Sequence, residues 1–474
     1  MTVKNICCIG AGYVGGPTMA VIALKCPEIK VTVVDFNEEK IKRWNGDYNN
    51  LPVFEPGLSS IVKKTRGKNL FFSTEIDKAI NESEMIFLAV NTPTKTSGKG
   101  AGMAADLSYI ESCAKNISKV AKKSKIIIEK STLPVRTAEK LKVILEKNKN
   151  VEFDILSNPE FLAEGTAIQD LFKSDRVLIG GENTKRGKNA IKKLKSIYEK
   201  WIPKSKIITT NLWSSELVKL ASNAMLAQRI SSINSLSALC EKTQADIDEV
   251  SEAIGMDKRI GKYFLKPSVG FGGSCFKKDI LNLVYLCKYY GLNEVAEYWH
   301  QVVKINDYQR IKFAEKIIND SKFFKNNRVA ILGWAFKKNT NDSRESSSIY
   351  VTKQLLDNGF KIDIYDPMVS KQRIFSDLTD LYQDQNFNKN SITSILSNII
   401  IHSNIDKTLK NTSAVAILTE WDEFEKYDWN SIANKINKSF FIYDGRNILK
   451  KYKLNSNNIN YKPLDRNGEN LFKN

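Results

Sequence analysis

Ile6-Cys7-Cys8-Ile9-Gly10-Ala11-Gly12-Tyr13-Val14-Gly15 is the stretch that decides the fold. A short apolar run meets three glycines in the pattern Gly-x-Gly-x-x-Gly, and a helical pattern follows through Leu24. Strand, glycine turn and helix in that order open a doubly wound α/β unit. The glycines permit a tight turn and let a pyrophosphate approach the helix N-terminus. The next apolar run, Val31-Thr32-Val33-Val34, ends at Asp35. It lies about twenty residues past the last glycine, where a carboxylate accepts hydrogen bonds from an adenosine ribose. A carboxylate there repels a 2′-phosphate, so the pattern favours NAD over NADP. The alternative is a structural glycine turn in some other α/β protein.

The same alternation continues outward. Met85 to Val90, Ile126 to Ile128 and Val177 to Ile179 read as further strands separated by helical stretches, which suggests a parallel, doubly wound sheet. From Ser214 to Gln244 no Pro or Gly interrupts the pattern, so a long helix is predicted there, and another from Lys278 to Tyr290. The opening order then returns: Val329-Ala330-Ile331-Leu332, Gly333, a helix over 346–358, and the strand Lys361 to Tyr365 with Asp366 at its tip. This predicts a second α/β domain of similar topology that lacks most of the phosphate-loop glycines. Ala414 to Leu418 and Phe440 to Tyr443 add strands, 383–398 reads as a surface loop, and the segment after Asn455 as a loose polar tail. The expected fold class is α/β: two Rossmann-like parallel-sheet domains joined by a long central helix and a helical middle domain. The expected boundaries are 1–211 for an NAD-binding domain, 212–322 for the central helical domain and 323–474 for the second α/β domain.

The chain has 474 residues, 42% hydrophobic and 26% charged, the balance of an ordinary globular protein of two or three domains. Its seven cysteines show no paired-knuckle spacing, and its two histidines, His300 and His402, sit in no motif. A zinc site, a disulfide framework and a histidine-based triad are therefore not expected, and cysteine usage suggests a reducing, cytoplasmic compartment. Met1 runs almost directly into a strand, which leaves no room for a signal peptide, and no apolar run reaches the length of a membrane span. The formal charge is +19, but the lysines are spread along the chain. A solvated basic surface explains this better than a nucleic-acid interface, and its field would draw in anionic nucleotides.

One cysteine stands in a chemically suggestive place: Gly270-Phe271-Gly272-Gly273-Ser274-Cys275-Phe276-Lys277-Lys278-Asp279. Beside a dinucleotide site, a thiolate can trap an aldehyde as a thiohemiacetal, which gives up a second hydride to become a thioester. Nearby Lys278 would favour the thiolate. The competing reading is an inert cysteine buried in a turn. Lys219 and Asn223, spaced i, i+4 on the long helix, either place two donors over a developing oxyanion or face solvent. Glu160 and Glu164, in Ser157 to Thr166, supply either a general base for hydrolysis or acids at a helix N-terminus. Glu129 to Val135 and Val90 to Thr94 offer hydroxyls at strand ends, where ligands collect, or are ordinary turns.

Together these segments resemble the nucleotide-sugar dehydrogenase family, and its animal-type members in particular, from about residue 4 to about residue 450. The resemblance rests on Ile9 to Gly16, Asn158 to Thr166, Gly270 to Asp279, Gly333-Trp334-Ala335-Phe336-Lys337-Lys338 and Asp342 to Ser348. It implies NAD-dependent, four-electron oxidation of UDP-glucose to UDP-glucuronate, with dimerisation through 212–322 and UDP-sugar binding by 323–474. Another nucleotide sugar, UDP-N-acetylmannosamine or GDP-mannose, is the alternative substrate. It makes Cys275 the nucleophile, Glu160 the hydrolytic base, Lys219 and Asn223 the oxyanion donors, and Asp279 and Thr132 the residues that order water or assist proton removal. NAD contacts are implied at Gly10, Ala11, Gly12, Tyr13, Val14, Gly15, Asp35 and Lys40. They continue at Val90, Asn91, Thr92, Pro93, Thr94, Ser131, Thr132, Leu133, Glu164, Cys275 and Arg344. The UDP-sugar is implied to touch Glu160, Phe161, Leu162, Ala163, Glu164, Lys219, Asn223 and Lys266. Pro267, Ser268, Val269, Gly270, Phe271, Gly272, Phe336, Lys337 and Arg446 complete that set. Arg259 is expected to reach the substrate of a neighbouring subunit in a homo-oligomer, a hexamer built from dimers. No metal, membrane or nucleic-acid partner is implied. Many family members carry Pro where this chain has Lys277.

Overall fold

The computed structural model describes residues 3–431, 440–452, 454 and 458–465. The chain divides into two compact units, residues 1–222 with 281–292, and residues 223–280 with 293–474.

The first unit is built on eight strands: β1 Asn5–Ile9, β2 Lys30–Val34, β3 Leu70–Ser73, β4 Met85–Leu88, β5 Lys125–Glu129, β6 Phe153–Ser157, β7 Val177–Gly181 and β8 Ile207–Asn211. Their order, β3-β2-β1-β4-β5-β6-β7-β8, reverses between β1 and β4. The crevice outside the strand C-termini at such a reversal is where open α/β sheets receive ligands. The central strands are buried on both faces: Cys8 packs into one apolar cluster and Cys7 into the other, both wholly buried. The adjacent cysteines are thus packing residues. Six of the seven pairings are parallel, as expected, but β6 and β7 run antiparallel. After Ser157 the chain first lays down the segment Asn158 to Thr166. A six-residue helix, Ala167–Phe172, follows before β7.

The second unit carries β9 Arg328–Leu332, β10 Lys361–Tyr365, β11 Ile399–Ile401, β12 Ala414–Ile417, β13 Phe440–Asp444 and β14 Ile459–Pro463. Their order is β11-β10-β9-β12-β13-β14, parallel throughout, with the reversal now between β9 and β12. The internal repeat is therefore real. Two expectations fail here. The stretch 383–398 is not a loop: it holds the end of the helix Lys371–Asp384 and the helix Lys389–Leu396. Asn388 caps the latter by accepting the Ser391 N–H, and Ile392 is buried beneath it. The polar residues there are cap and solvent-face residues. The tail is not loose throughout either, because β14 pairs along β13 from Ile459 to Pro463. Residues 466–474 lie outside the described set.

Three long helices carry or brace the functional groups. Leu212–Thr243, 32 residues, covers the predicted Ser214–Gln244 helix and contributes residues to both units, as does Phe276–Tyr289. Asn293–Asp320 belongs to the second unit.

In the first unit the Glu216 carboxylate of the long helix accepts the N–H groups of Arg136 at 2.7 Å and Ala138 at 2.9 Å. It thereby caps the helix Thr137–Leu145, where Arg136 holds a left-handed φ of 74°. Glu129, at the end of β5, is buried beside it, and neither Glu129 oxygen meets a hydrogen-bond donor. Burial first, and the neighbouring Glu216 charge second, raise the Glu129 carboxyl well above the ordinary range. Burial also raises Glu216, against the pull of its two N–H donors. A carboxyl raised in the folded state stabilises that state below the ordinary glutamate range, and the contribution is lost as pH climbs through the folded value. Glu129→Gln keeps the shape without the titration. Its melting temperature is expected to gain on the parent's between about pH 5 and about pH 8, measured by circular dichroism. Parallel curves would refute the raised Glu129 carboxyl.

Candidate active site

The glycine turn of the first unit is shaped by contact. Gly10 has φ +112°, and a Cβ there would lie 2.3 Å from the Ala89 carbonyl oxygen. At Gly15, where the helix Gly15–Lys25 begins, it would lie 2.0 Å from the Gly10 carbonyl oxygen. Gly12 is different: nothing of the protein lies within 4 Å of such an atom. The space over Gly12 is open. The helix start receives no side-chain cap and has no acid in its first turn, so no side chain of the helix opposes an anion there.

Asp35 closes the turn from behind. Its carboxylate accepts from the N–H groups of Ala11 and Asn37, each at 3.0 Å, and from the Lys40 ammonium at 2.9 Å. Burial pushes its pKa up, but these donors outweigh burial and hold it below the usual range. Lys40, implied as a cofactor contact, is thus engaged with Asp35. At the neighbouring strand ends the Thr92 hydroxyl donates to the Thr132 carbonyl at 3.0 Å, and Ser131 donates to the Val90 carbonyl at 2.6 Å. These hydroxyls latch two strand-end loops together. Leu133, expected near the cofactor, packs into the apolar core. Asn91 and Pro93 are exposed, while Tyr13, Val14, Val90 and Thr94 are half-buried.

The same unit pairs two expected catalytic groups. The Lys219 ammonium lies 3.0 Å from the Glu160 carboxylate, with side chains only 6% and 8% exposed. The solvent-facing reading of Lys219 fails, and so does the helix-terminus reading of Glu160, since the next helix starts at Ala167. The second Glu160 oxygen is buried without a hydrogen-bond donor. Phe161 lies under two cations, Arg176 at 3.9 Å and Lys219 at 5.6 Å from the ring centroid. Leu162 and Glu164 are half-buried and Ala163 is exposed.

Sequence reasoning missed Arg176 and, beside this pair, Lys130. Lys130 is buried and donates to the Asn158 side-chain carbonyl at 3.3 Å, which also takes the Tyr198 hydroxyl at 2.7 Å. Burial lowers its pKa from 10.5 to about 8, with Glu160 opposing the shift and Lys219 adding to it. The available signal was a lysine directly after the strand ending at Glu129.

In the second unit Cys275 directly precedes the helix Phe276–Tyr289 and is half-buried, with the Ser274 hydroxyl 3.4 Å from its sulfur. Its carbonyl accepts the Asp279 N–H at 2.9 Å, so the thiol sits at the helix N-terminus. Asn223 is buried and donates to the Asp279 carboxylate at 2.6 Å, and the Lys278 ammonium lies 3.1 Å from the other oxygen. Lys277 binds Glu345 at 2.9 Å and Tyr350 at 3.2 Å, a tie that Pro could not make.

A cavity of about 350 Å³ opens in this unit. Lys266, Pro267, Ser268, Phe271 and Gly272 line it from one segment, Phe336, Lys337 and Arg446 from others. Eight of the implied substrate residues thus share one wall. Ile230, Phe264, Phe276 and Glu420 complete it and were not expected. The apolar rings offer a flat ligand faces to stack on, and the three cations suit an anionic one. Arg446 is oriented by the carbonyls of Leu418 at 2.7 Å and Phe336 at 2.9 Å. Val269 points into the core and Gly270 supplies only backbone. Arg344 is forked onto Asp342, at 2.8 and 2.7 Å. Arg259 is not gathered into any of these groups: its side chain is 88% exposed and pairs with Asp257.

Three family descriptions match consecutive parts of the chain. They are those of the UDP-glucose/GDP-mannose dehydrogenase family: its NAD binding domain over 4–202, central domain over 213–308 and UDP binding domain over 330–451. The chain is 55% identical to UDP-glucose 6-dehydrogenase 4 of Arabidopsis thaliana, over 95% of this chain and 94% of that protein. It is 56% identical to UDP-glucose 6-dehydrogenase of Mus musculus, over 94% and 90%. Plant and animal relatives stand equally near, so an animal type is not singled out. Among solved structures, a UDP-glucose dehydrogenase from the archaeon Pyrobaculum islandicum superposes with a TM-score of 0.81 at 27% identity, covering 98% of each chain. A UDP-D-ManNAc dehydrogenase of Pyrococcus horikoshii, at 23% identity, shares the fold, with a TM-score of 0.79. With all three descriptions in sequence and more than half its residues in common with such relatives, the chain belongs to the UDP-glucose/GDP-mannose dehydrogenase family.

Proposed function

We propose that this chain oxidises UDP-glucose to UDP-glucuronate. The observation that carries the reading is the identity above one half, across nearly the whole chain, with UDP-glucose 6-dehydrogenases of plants and animals. The dehydrogenase acting on N-acetylmannosamine is matched at 23%, which speaks for the fold alone.

The residues fit NAD. The open space over Gly12, the uncapped helix start and the Asp35 carboxylate suit a pyrophosphate and an adenosine ribose. When bound, NAD accepts a hydride from the sugar's C6, and a second molecule accepts the second. The chain's own groups do the rest. Asp279, or water ordered with Thr132, takes the alcohol proton in the first oxidation. The Cys275 thiolate adds to the aldehyde carbon, and the resulting thiohemiacetal becomes a thioester on loss of hydride. Lys219 and Asn223 direct N–H donors at the oxygen that carries charge. Glu160 takes a proton from water as it attacks the thioester, releasing the carboxylate and the thiol. The sum is one alcohol, two NAD and one water giving one carboxylate, two NADH and three protons. The cations and rings of the 350 Å³ cavity suit the uridine diphosphate.

Residues 1–211 serve NAD, 212–322 subunit pairing and 323–474 the nucleotide. The assembly is a homo-oligomer, a hexamer built from dimers, and the exposure of Arg259 suits an arm that reaches a neighbour's substrate. A cytoplasmic setting agrees with cysteines that form no disulfide among the described residues. Among the described residues no helix is long and apolar enough to cross a membrane.

NADH absorbance with a panel of nucleotide sugars tests the substrate. UDP-glucose is expected to yield two NADH per sugar, and turnover of another sugar with none of UDP-glucose would displace the reading. Cys275→Ser should give no sustained NADH production, and normal turnover by that variant would refute the covalent route. Gly12→Ala should fold like the parent yet raise the KM for NAD about tenfold or more, as a methyl intrudes on the cofactor. Gly15→Ala, which meets its own backbone, should instead lower the melting temperature.

A further inference from the structure

The buried stripe of the helix Asn293–Asp320 runs Val302, Val303, Asn306, Gln309, Arg310, Phe313, Ala314, Ile317. Its spacing is that of a core face. Three of its middle positions are polar, and each is at most 3% exposed. Burying an amide or a guanidinium is costly unless it is fully bonded. All three reach the peptide groups of one segment, the loop that leads to Cys275.

Asn306 mimics a strand partner. Its carbonyl accepts the Phe271 N–H at 2.8 Å, and its amide donates to the Phe271 carbonyl at 3.1 Å. Gln309 donates to the Ser268 carbonyl at 3.2 Å. One Arg310 nitrogen donates to the carbonyls of Phe271 at 2.6 Å and Glu345 at 2.7 Å. The guanidinium Nε donates to Ser347, whose hydroxyl in turn donates to the Gly270 carbonyl at 3.2 Å. The loop they hold is unusual. Gly270 has φ +121° and Gly273 φ +87°, and a Cβ at Gly270 would lie 2.9 Å from the Asn306 oxygen. Glycine adopts either sign of φ readily, so the backbone alone does not fix this conformation and the contacts to the loop select it.

The geometry points to Asn306 and Arg310 as positioning residues that hold the loop Ser268–Gly273 and so fix where the Cys275 thiol stands at its helix start. Neither touches the thiol; each acts through the loop backbone. A guanidinium bridges two carbonyls in a set plane, whereas an ammonium is a single point of charge. Arg310→Lys is therefore not conservative here. This inference rests on the proposed role of Cys275.

The test uses the full-length chain with Asn306→Ala, Arg310→Lys and Ser347→Ala. Melting temperature, kcat, the KM for NAD and the rate at which iodoacetamide alkylates Cys275, followed by peptide mass spectrometry, are compared with the parent. The expected result is a fall in kcat of about tenfold or more for Asn306→Ala and Arg310→Lys, in line with a misplaced reacting group. The KM for NAD stays unchanged, the alkylation rate changes, and Ser347→Ala shifts in the same sense by less. Folded variants with the parent's kcat and alkylation rate would overturn the inference, and so would a loss confined to melting temperature. Should Arg310→Lys fail to fold, Asn306→Ala and Ser347→Ala decide. A parent inert towards UDP-glucose would sink the functional reading alone, since alkylation still reports on the loop.

Discussion

In each unit, a carboxylate at the tip of the second strand takes the backbone N–H of the turn that follows the first. Asp35 does this for Ala11 and Asp366 for Trp334 and Ala335. The contact locks the turn against the neighbouring strand, which sets where the following residues emerge. The two copies then diverge. Asp366 also takes the Trp421 indole and the N–H groups of Met368 and Val369, so both its oxygens are spent internally. The Asp35 oxygens are likewise taken, by Ala11, Asn37 and Lys40, but its turn leaves open space over Gly12, whereas a Cβ at Gly333 would lie 2.4 Å from the Thr419 side chain. One topology thus yields a turn open to a ligand and a turn closed on itself.

The second theme is the burial of charge in pairs. Glu160 pairs with Lys219 in the first unit, and in the second Asn223 binds the Asp279 carboxylate, each group almost out of solvent. Lys130 and the Glu129–Glu216 pair follow within the first unit. Such pairs are poor sources of stability, because desolvation offsets most of their attraction. Buried ionisable groups of this kind are candidates for chemistry.

Most of the architecture was legible in the chain. Apolar runs buried on both faces, the glycine turn and the acid at the next strand end all declare themselves locally, and their return at Val329 to Asp366 exposed the repeat. The misreadings share a cause. Asn388 and its neighbours read as a loop because cap residues and loop residues have the same composition. The strand Ile459–Pro463 was hidden because its place is set by backbone pairing with β13, and little in its side chains records that.

At the site, the types of the reacting groups could be read directly, since a thiol between glycines, a lysine with an amide one turn on, and an acid after a strand each carry their chemistry in the residue itself. What a sequence could not say is which partner each group holds. That Lys219 meets Glu160, that Asn223 meets Asp279 and that Arg310 grips the loop before Cys275 are matters of distance between segments far apart in the chain. Side-chain chemistry is local and is written in the order of residues. Orientation and desolvation arise only when the folded backbone brings remote segments together, and they turn that chemistry into a site.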